Sequence, residues 1–224
     1  MAGLLISFDG LDSTGKATQV KRFVDHLQKD GHTVRLFETP DYATPTGQQL
    51  KQLLQNKDGV WAQTPWVEKM KLFAANRREH REEVLETLAS GGVVVYDRYV
   101  PSSLAFFAAE NQGSREAVHH LVAEEEYETN QMPREAGSIF LDVSPEIANR
   151  LLHGRKQHRQ DDHEYTDDLA VQHRLYDEYQ YLCEREPTRY LRIACVEGGQ
   201  LCSIDEVTER VWRTTSTRWP HLLR

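Results

Sequence analysis

Short apolar, β-branched segments alternate with longer amphipathic segments along this 224-residue chain. Apolar runs bounded by turn residues predict buried strands, and longer stretches with a helical spacing of apolar residues predict helices. The predicted strands are Leu4–Phe8, Val34–Phe37, Val93–Tyr96, Ile139–Val143 and Leu191–Val196. The predicted helices are Lys16–Lys29, Thr46–Leu54, Pro65–Ala89, Ser102–Glu110, Ser114–Tyr127, Pro145–His153, Tyr165–Glu184 and Ser203–Thr215.

The alternation of predicted strands and helices indicates the fold class. Strands separated by helices form parallel sheets that are covered by helices on both faces. The sequence shows neither an internal repeat nor a low-complexity linker, so we expect one α/β domain over residues 1–224. Ligands of such domains bind at the carboxyl ends of the strands, and we expect the functional residues there.

Charge and hydropathy narrow the class of protein further. The net charge is −8, whereas a general nucleic-acid binder usually has a basic surface. No apolar run approaches the roughly 20 residues that span a bilayer, and the first residues lack the basic start of a signal peptide. The three cysteines show no C-x-x-C spacing, which favours reduced thiols. We therefore expect a cytoplasmic protein without nucleic-acid or membrane partners.

A glycine-rich motif separates the first predicted strand from the first predicted helix. Residues Gly10–Lys16 read GLDSTGK, which matches the G-x-x-x-x-G-K pattern of a P-loop in the strand–loop–helix context that it requires. Backbone N–H groups of such a loop bind phosphate oxygens, and Lys16 adds a positive charge at the β- and γ-phosphates. The motif predicts a three-layer P-loop NTPase-type fold with five parallel strands. The predicted ATP-binding residues are Gly10, Leu11, Asp12, Ser13, Thr14, Gly15, Lys16, Ala17 and Thr18.

One position of the P-loop departs from the usual pattern. The residue after Lys16 is normally Ser or Thr, whose hydroxyl ligates Mg²⁺, but here it is Ala17. Thr18 is turned about 100° around the helix and does not take over that role. Because Mg²⁺ accepts water in place of a protein ligand, we still expect Mg²⁺ as the cofactor of ATP. Asp12 and Asp97 are the candidate carboxylates for the metal.

Five segments, in this order, resemble the thymidylate kinase family, and the similarity extends to about Val211. The segments are FDGLDSTGKATQ (Phe8–Gln19), PDYATPTG (Pro40–Gly47), LFAANRREH (Leu72–His80), YDRYVPSS (Tyr96–Ser103) and LDVSPEIANRLL (Leu141–Leu152). The resemblance implies Mg²⁺-dependent phosphoryl transfer from ATP to dTMP, for deoxynucleotide synthesis. It also implies a homodimer.

The resemblance implies a binding site for the acceptor nucleotide. Phe73 and Arg77 are four residues apart, so they project from one face of a helix; in the family the matching residues stack on thymine and bond its O4. Arg98 follows the third strand and is implied to hold the acceptor phosphate through paired N–H donors. Phe106 matches a position near the sugar C2′. The predicted acceptor residues are Asp12, Tyr42, Phe73, Arg77, Arg98, Ser102, Ser103 and Phe106.

Asp41 is a second departure from the pattern of the family, and it leaves the identity of the acceptor open. The matching segment of the family often carries an Arg that points toward the acceptor phosphate. A carboxylate repels a phosphate unless it turns away or is bridged by a metal. The alternatives are a kinase for dUMP, dCMP, UMP or a deoxynucleoside, and a nucleotide-binding module that does not transfer phosphate.

The polar stretch Gly154–Glu164 predicts an exposed, mobile loop. Some family members carry an Arg within the P-loop, but this chain has Ser13 and Thr14 at those positions. The resemblance therefore implies a closing lid that supplies the positive charge through Arg155 or Arg159, between which the sequence does not choose. The lid also excludes water. The predicted catalytic residues are Lys16, Arg98, Arg155, Arg159 and Asp12.

Overall fold

A five-stranded parallel sheet forms the centre of the protein. The computed structural model describes residues 3–55, 59–111, 113–156 and 168–222. The strands follow the order β2-β3-β1-β4-β5, and all four neighbouring pairs are parallel. Their bounds are β1 (Leu4–Asp9), β2 (Val34–Glu38), β3 (Val93–Asp97), β4 (Gly137–Asp142) and β5 (Tyr190–Ala194). The predicted parallel α/β fold is therefore confirmed.

Helices connect the strands and cover the sheet. The α-helices are α1 (Lys16–Lys29), α2 (Pro45–Leu54), α3 (Val60–Gln63), α4 (Trp66–Arg78), α5 (Arg81–Ala89), α6 (Val100–Glu110), α7 (Arg115–Ala123), α8 (Pro145–Lys156), α9 (Leu169–Arg185) and α10 (Ile204–Arg218). A π-helical turn, Glu124–Thr129, follows α7, and a 3-10 turn covers Pro220–Leu222. The fifth predicted strand ends early, because β6 (Val196–Glu197) turns to pair with β7 (Gln200–Leu201). No helix in the described ranges is long and apolar enough to cross a membrane.

Hydroxyl side chains fix the starts of several helices. Thr44 accepts a hydrogen bond from Gly47 N at the start of α2, and Ser114 accepts one from Ala117 N at the start of α7. Ser203 begins α10 with a reciprocal capping box. Each of these caps satisfies a backbone N–H group that has no partner within the helix.

The predicted single helix Pro65–Ala89 is wrong, because the structure contains two helices there. Between α4 and α5, His80 leaves the helical region at φ −96° and ψ 0°. Its ring packs on Phe37, with 5.0 Å between ring centroids, and its Nε2 lies 3.1 Å from Asp41 Oδ2. These contacts with β2 and the loop after it compete with helix continuation. The apolar spacing continues through the break without Gly or Pro, so the sequence carries no stop signal there.

The two faces of the sheet have separate apolar cores. Leu4, Ile6 and Phe8 of β1 pack with apolar residues of α1, α8 and α10. Leu5, on the opposite face, packs with residues of α4, α5, α6, α7 and α9. Because strand residues alternate between faces, Asp9 lies on the same face as Leu5, at the end of a strand whose other polar residue is Ser7. A buried carboxylate at this position lies next to the P-loop.

Candidate active site

The loop after β1 has the conformation of a phosphate-binding loop. Gly10, Ser13 and Gly15 have φ angles of 138°, 61° and 88°. A Cβ atom on Gly10 would lie 3.2 Å from the carbonyl oxygen of Leu141, so this position favours glycine sterically as well. Gly15 is the N-cap of α1, without a side-chain cap or an acidic residue in the first turn. The first N–H groups of α1 are therefore suited to an anion.

Lys16 is buried at the base of this loop. Its Nζ donates hydrogen bonds to the carbonyl oxygens of Gly10, at 3.2 Å, and of Leu11. Burial first, and the positive charge of Arg98 second, lower the pKa of Lys16 to about 8, although nearby carboxylates act in the opposite direction. A bound phosphate would supply negative charge at this position and favour the protonated lysine.

The residues after Lys16 leave the start of α1 open. Ala17 and Thr18 are exposed, whereas Thr14 is buried and donates to Leu11 O at 2.9 Å. Asp97, the last residue of β3, has its pKa raised by burial, while Lys16 and Arg98 act to lower it. Within the described ranges, no group of three or more His, Cys, Asp and Glu side chains is arranged to hold a metal ion.

Arg98 follows β3 and reaches across to the P-loop. Its backbone N–H donates to Phe8 O at 2.9 Å, its Nη1 to Gly10 O at 3.0 Å and its Nη2 to a carboxylate oxygen of Asp12. Burial alone would lower the pKa of Arg98, but Asp12 and other neighbours raise it above its ordinary value. The residue has φ 68°, which is uncommon for a side chain of this size. Such strain clusters at functional sites.

All eight predicted acceptor residues line one cleft beside the P-loop. The cleft is lined by Gly10, Leu11, Asp12, Thr39, Pro40, Tyr42, Leu54, Phe73, Arg77, Arg98, Ser102, Ser103, Phe106, Phe107, Leu175 and Tyr179. One wall is aromatic: Phe73 lies 5.9 Å from Phe107 and 6.2 Å from Phe106, measured between ring centroids. Arg98, which bonds to Gly10 and Asp12 of the P-loop, lines the same cleft. An aromatic wall and a cation in one cleft suit a ligand with a flat ring and an anionic group.

Asp41 does not line this cleft. Its carboxylate accepts a hydrogen bond from Ala43 N at 2.8 Å and lies 3.1 Å from His80 Nε2, in a separate depression beside β2. Asn76 Oδ1 accepts from the Asp41 backbone N–H and holds the segment in place. The neighbouring residue, Tyr42, does line the cleft. The repulsion expected between Asp41 and an acceptor phosphate is therefore avoided, because the carboxylate turns away.

Asp9 is a central polar residue that the sequence analysis did not single out. One of its carboxylate oxygens accepts from the hydroxyls of Ser7 and Ser138, both at 2.6 Å. The other accepts from the hydroxyl of Ser102 and from the backbone N–H of Tyr99. A carboxylate at the end of a mostly apolar strand, one residue before the P-loop, was the available signal. This network fixes Ser102, which lines the cleft.

No motif in the sequence pointed to two further residues that contact side chains of the cleft. Tyr179 on α9 lines the cleft, with its hydroxyl 3.0 Å from the hydroxyl of Ser102. Glu126, on the π-helical turn, is fully buried and bonds to Arg77. Both come from segments far along the chain whose polar residues are typical of a helix surface.

The lid residues are described only in part. The predicted loop begins at Gly154, but α8 continues through this residue to Lys156, one turn beyond the predicted helix end at His153. The backbone of Arg155 therefore belongs to α8. Arg159 and the rest of the predicted lid, up to residue 164, lie outside the described residues.

Comparisons with known proteins agree with this fold and arrangement. The thymidylate kinase family model matches residues 8–198. The thymidylate kinase of Exiguobacterium sp. is 30% identical over 210 residues, which cover 93% of this chain and 94% of that protein. The thymidylate kinase of Bifidobacterium longum is 34% identical over 193 residues, with coverages of 85% and 88%.

A solved structure supports the fold independently. The crystal structure of thymidylate kinase from Ehrlichia chaffeensis superposes with a TM-score of 0.70, and the match covers 96% of this chain and 100% of that chain. At 19% sequence identity, this similarity bears on the fold alone. The family model and the relatives extend beyond the P-loop to the segments that form the cleft. The chain therefore belongs to the thymidylate kinase family.

Proposed function

We propose that this chain transfers the γ-phosphate of ATP to dTMP, giving ADP and dTDP. The observation that carries the proposal is the convergence of Lys16 and Arg98 on the carbonyl oxygen of Gly10. One cation belongs to a phosphate-binding loop and the other to a cleft with an aromatic wall. Family membership points to dTMP as the acceptor that the cleft receives.

The donor side binds the phosphates of ATP. The amides of Gly10 through Thr18 and the N-terminus of α1 surround the phosphate oxygens, and Lys16 contacts the β- and γ-phosphates. Phosphoryl transfer requires in-line positioning and positive charge more than covalent chemistry, so rigid amides and a buried lysine suffice on this side.

The acceptor side places dTMP along the cleft. Arg98 exchanges part of its contact with Asp12 for two parallel bonds to the acceptor phosphate. Phe73 stacks on the base and Arg77 donates to its edge. Phe106 approaches the sugar at C2′, where it disfavours a ribose hydroxyl. Ser102 and Ser103 supply hydroxyls beside the base, and Tyr42 supplies one from the loop after β2.

Mg²⁺ is the proposed cofactor, and the donor set is compatible with it. Asp12 and Asp97 would hold it, directly or through water, because Ala17 provides no hydroxyl and Mg²⁺ readily keeps water ligands. When bound, Mg²⁺ neutralises charge that develops on the transferring phosphate. Two carboxylates near the phosphates fit an ion that is ligated mainly by ATP and water.

The positive charge that stabilises the transferring phosphate is proposed to come from Arg155 and Arg159 of the lid. The P-loop carries Ser13 and Thr14 at the positions where some family members have an arginine, and Lys16 and Arg98 are already assigned to the donor and to the acceptor.

We also propose a cytoplasmic homodimer. The free thiols of all three cysteines fit a reducing compartment.

An acceptor panel tests the proposal. ADP release is measured with ATP and Mg²⁺, without an acceptor and with dTMP, dUMP, dCMP, UMP or thymidine. The proposal predicts ADP release that depends on dTMP and is fastest with it. A faster reaction with another acceptor would identify a different kinase. If the protein binds ATP but releases no ADP with any acceptor, the result would support a nucleotide-binding module that does not transfer phosphate.

A further inference from the structure

Arg77 is held by a carboxylate that the proposed mechanism does not use. Arg77, on α4, and Glu126, on the π-helical turn Glu124–Thr129, are fully buried side chains, 1% and 0% exposed. Arg77 Nε lies 3.0 and 3.1 Å from the two oxygens of Glu126, and Nη2 donates to Glu126 and, at 2.6 Å, to Ser103 Oγ. Among the described residues, these hydrogen bonds use the Nε and Nη2 atoms of Arg77. Because Arg77 also lines the cleft, its Nη1 group is the one that can donate to a bound molecule.

The two arginines of the cleft differ in how their charge is balanced. Arg98 and its partner Asp12 keep side-chain exposures of 24% and 34%, so water can replace either partner. Arg77 and Glu126 have no such access to water. Separating them would leave two uncompensated charges in the interior. Arg98 is thus suited to exchange its carboxylate for a phosphate, whereas Arg77 remains a neutralised pair whose outer N–H groups suit an uncharged carbonyl oxygen.

The π-helical turn holds Glu126 in a fixed position. The carbonyl oxygen of Glu126 accepts a hydrogen bond from Met132 N at 3.0 Å. The next residue, Tyr127, is anchored by its hydroxyl, which donates to Glu135 at 2.7 Å. π-helical turns occur frequently at functional sites, because they redirect one side chain out of the regular helical spacing. Here the carboxylate of Glu126 meets Arg77 in the interior of the protein.

We propose that Glu126 is a positioning residue that sets which acceptor base the cleft receives. It balances the charge of Arg77 and orients its guanidinium so that the N–H donors of Nη1 face the base edge. A base with a carbonyl oxygen there is accepted, whereas an amino group, as in cytosine, would place a donor against a donor. This inference rests on the proposed function and deepens it.

The test measures coupling between Glu126 and the base oxygen. Steady-state kinetics compare dTMP with an analogue that lacks the 4-oxygen, in the native protein and in Glu126→Gln. The variant is expected to raise KM for dTMP about tenfold, with little change in kcat or in KM for ATP, because Arg77 loses the carboxylate that orients it toward the base. The preference for dTMP over the analogue should shrink by about the same factor.

Glu178→Gln is the matched control. Glu178 is a buried carboxylate that accepts hydrogen bonds from Arg115 at 2.6 and 2.8 Å, and neither residue lines the cleft. Its variant is expected to lower stability without changing the preference for dTMP over the analogue. A merely structural role of Glu126 would make the two variants behave alike. An unchanged preference in folded Glu126→Gln would overturn the inference.

A second variant covers the case in which Glu126→Gln does not fold. Glu126→Asp keeps the charge of the buried pair but shortens the side chain by one methylene, so Arg77 is no longer held in its native position. Its preference for dTMP over the analogue should also shrink, and an unchanged preference would contradict the inference. If the native protein does not phosphorylate dTMP, the proposed function fails and the inference falls with it. If native discrimination persists in the variants, the inference alone fails.

Discussion

Lys16 and Arg98 donate hydrogen bonds to the same acceptor, the carbonyl oxygen of Gly10, at 3.2 and 3.0 Å. Lys16 begins the helix after β1, and Arg98 follows the neighbouring strand β3. The carboxyl ends of two adjacent strands thus place two cations side by side, one at the P-loop and one at the cleft. Direct transfer between two nucleotides requires their reacting phosphates to be adjacent, and this relationship provides for it.

Arg98→Met should impair use of the acceptor far more than use of the donor. The variant removes a charged, paired donor to the acceptor phosphate, so kcat/KM for dTMP should fall about 100-fold or more, while KM for ATP changes little. Steady-state kinetics with each substrate varied in turn measure both effects. Arg115→Met is the control, since Arg115 pairs with Glu178 away from the cleft and its loss should leave both values nearly unchanged. Equal effects of the two variants would contradict the assignment.

The affinity for ATP should fall as the pH rises through about 8. Lys16 has a pKa of about 8 in the nucleotide-free protein, lowered from 10.5 chiefly by burial, so it loses its proton in this range. We expect binding of a non-hydrolysable ATP analogue to weaken about tenfold between pH 7 and pH 9, as measured by calorimetry. Lys16→Met should bind weakly with a flat profile. A native affinity that stays constant up to pH 10 would contradict the assignment.

Deprotonation of Lys16 should weaken ATP binding as the pH rises, but it should increase the stability of the nucleotide-free protein. Between about pH 8 and pH 10.5, the unfolded chain keeps the Lys16 proton that the folded chain has released. The contribution of Lys16 to the free energy of unfolding therefore rises with pH in this window. Comparison of urea unfolding of the native protein and Lys16→Met across this range isolates the effect.

Asp9→Ala should lower the free energy of unfolding by about 3 kcal/mol, because three hydroxyls and one backbone N–H lose their acceptor inside the protein. Urea unfolding measures the change. Ser7→Ala is the graded control: it removes one donor and should cost about 1 kcal/mol. If Asp9→Ala is no less stable than Ser7→Ala, the network does not hold the end of β1.

Phe73→Ala should weaken binding of the acceptor base. Loss of an aromatic stacking surface costs about 1–3 kcal/mol per base, so KM for dTMP should rise at least fivefold, with KM for ATP unchanged. Trp66→Ala is a suitable control, since Trp66 packs on Phe107, at 6.3 Å between ring centroids, and does not line the cleft. A similar rise in KM for dTMP in both variants would indicate general loosening of the aromatic wall.

Combined replacement of Arg155 and Arg159 by Ala should lower kcat more than tenfold, because the P-loop carries no arginine of its own. Binding of ATP and dTMP should change less than turnover does. Rapid-quench measurement of the transfer step distinguishes slower chemistry from slower product release. A fall of less than tenfold in the transfer rate would show that residues other than Arg155 and Arg159 supply the positive charge at the transferring phosphate.

Motif spacing and the resemblance to the family together account for the part of the site that was predicted from the sequence. The P-loop is local, so its glycines and Lys16 follow directly from the strand–loop–helix pattern. Spacing alone placed Phe73 and Arg77 on one helix face, but their assignment to a binding site, like that of Arg98, came from the resemblance. The structure brings these residues together in one cleft. Their roles in binding stay predictions that the variants above examine.

Contacts between distant segments account for the part that was missed. The helix break at His80 depends on Phe37 and Asp41, which the apolar spacing around His80 does not encode. Glu126 is a polar residue in an amphipathic stretch, a pattern typical of an exposed helix face. Only the π-helical turn and the approach of Arg77 place it in the interior.

The most direct test is a crystal structure with dTMP and a non-hydrolysable ATP analogue bound together. We expect the γ-phosphate at Lys16, the dTMP phosphate on Arg98 and the base against Phe73, with the two reacting groups adjacent and in line. A dTMP molecule bound outside the cleft, or phosphates held apart with Arg98 still on Asp12, would contradict this expectation.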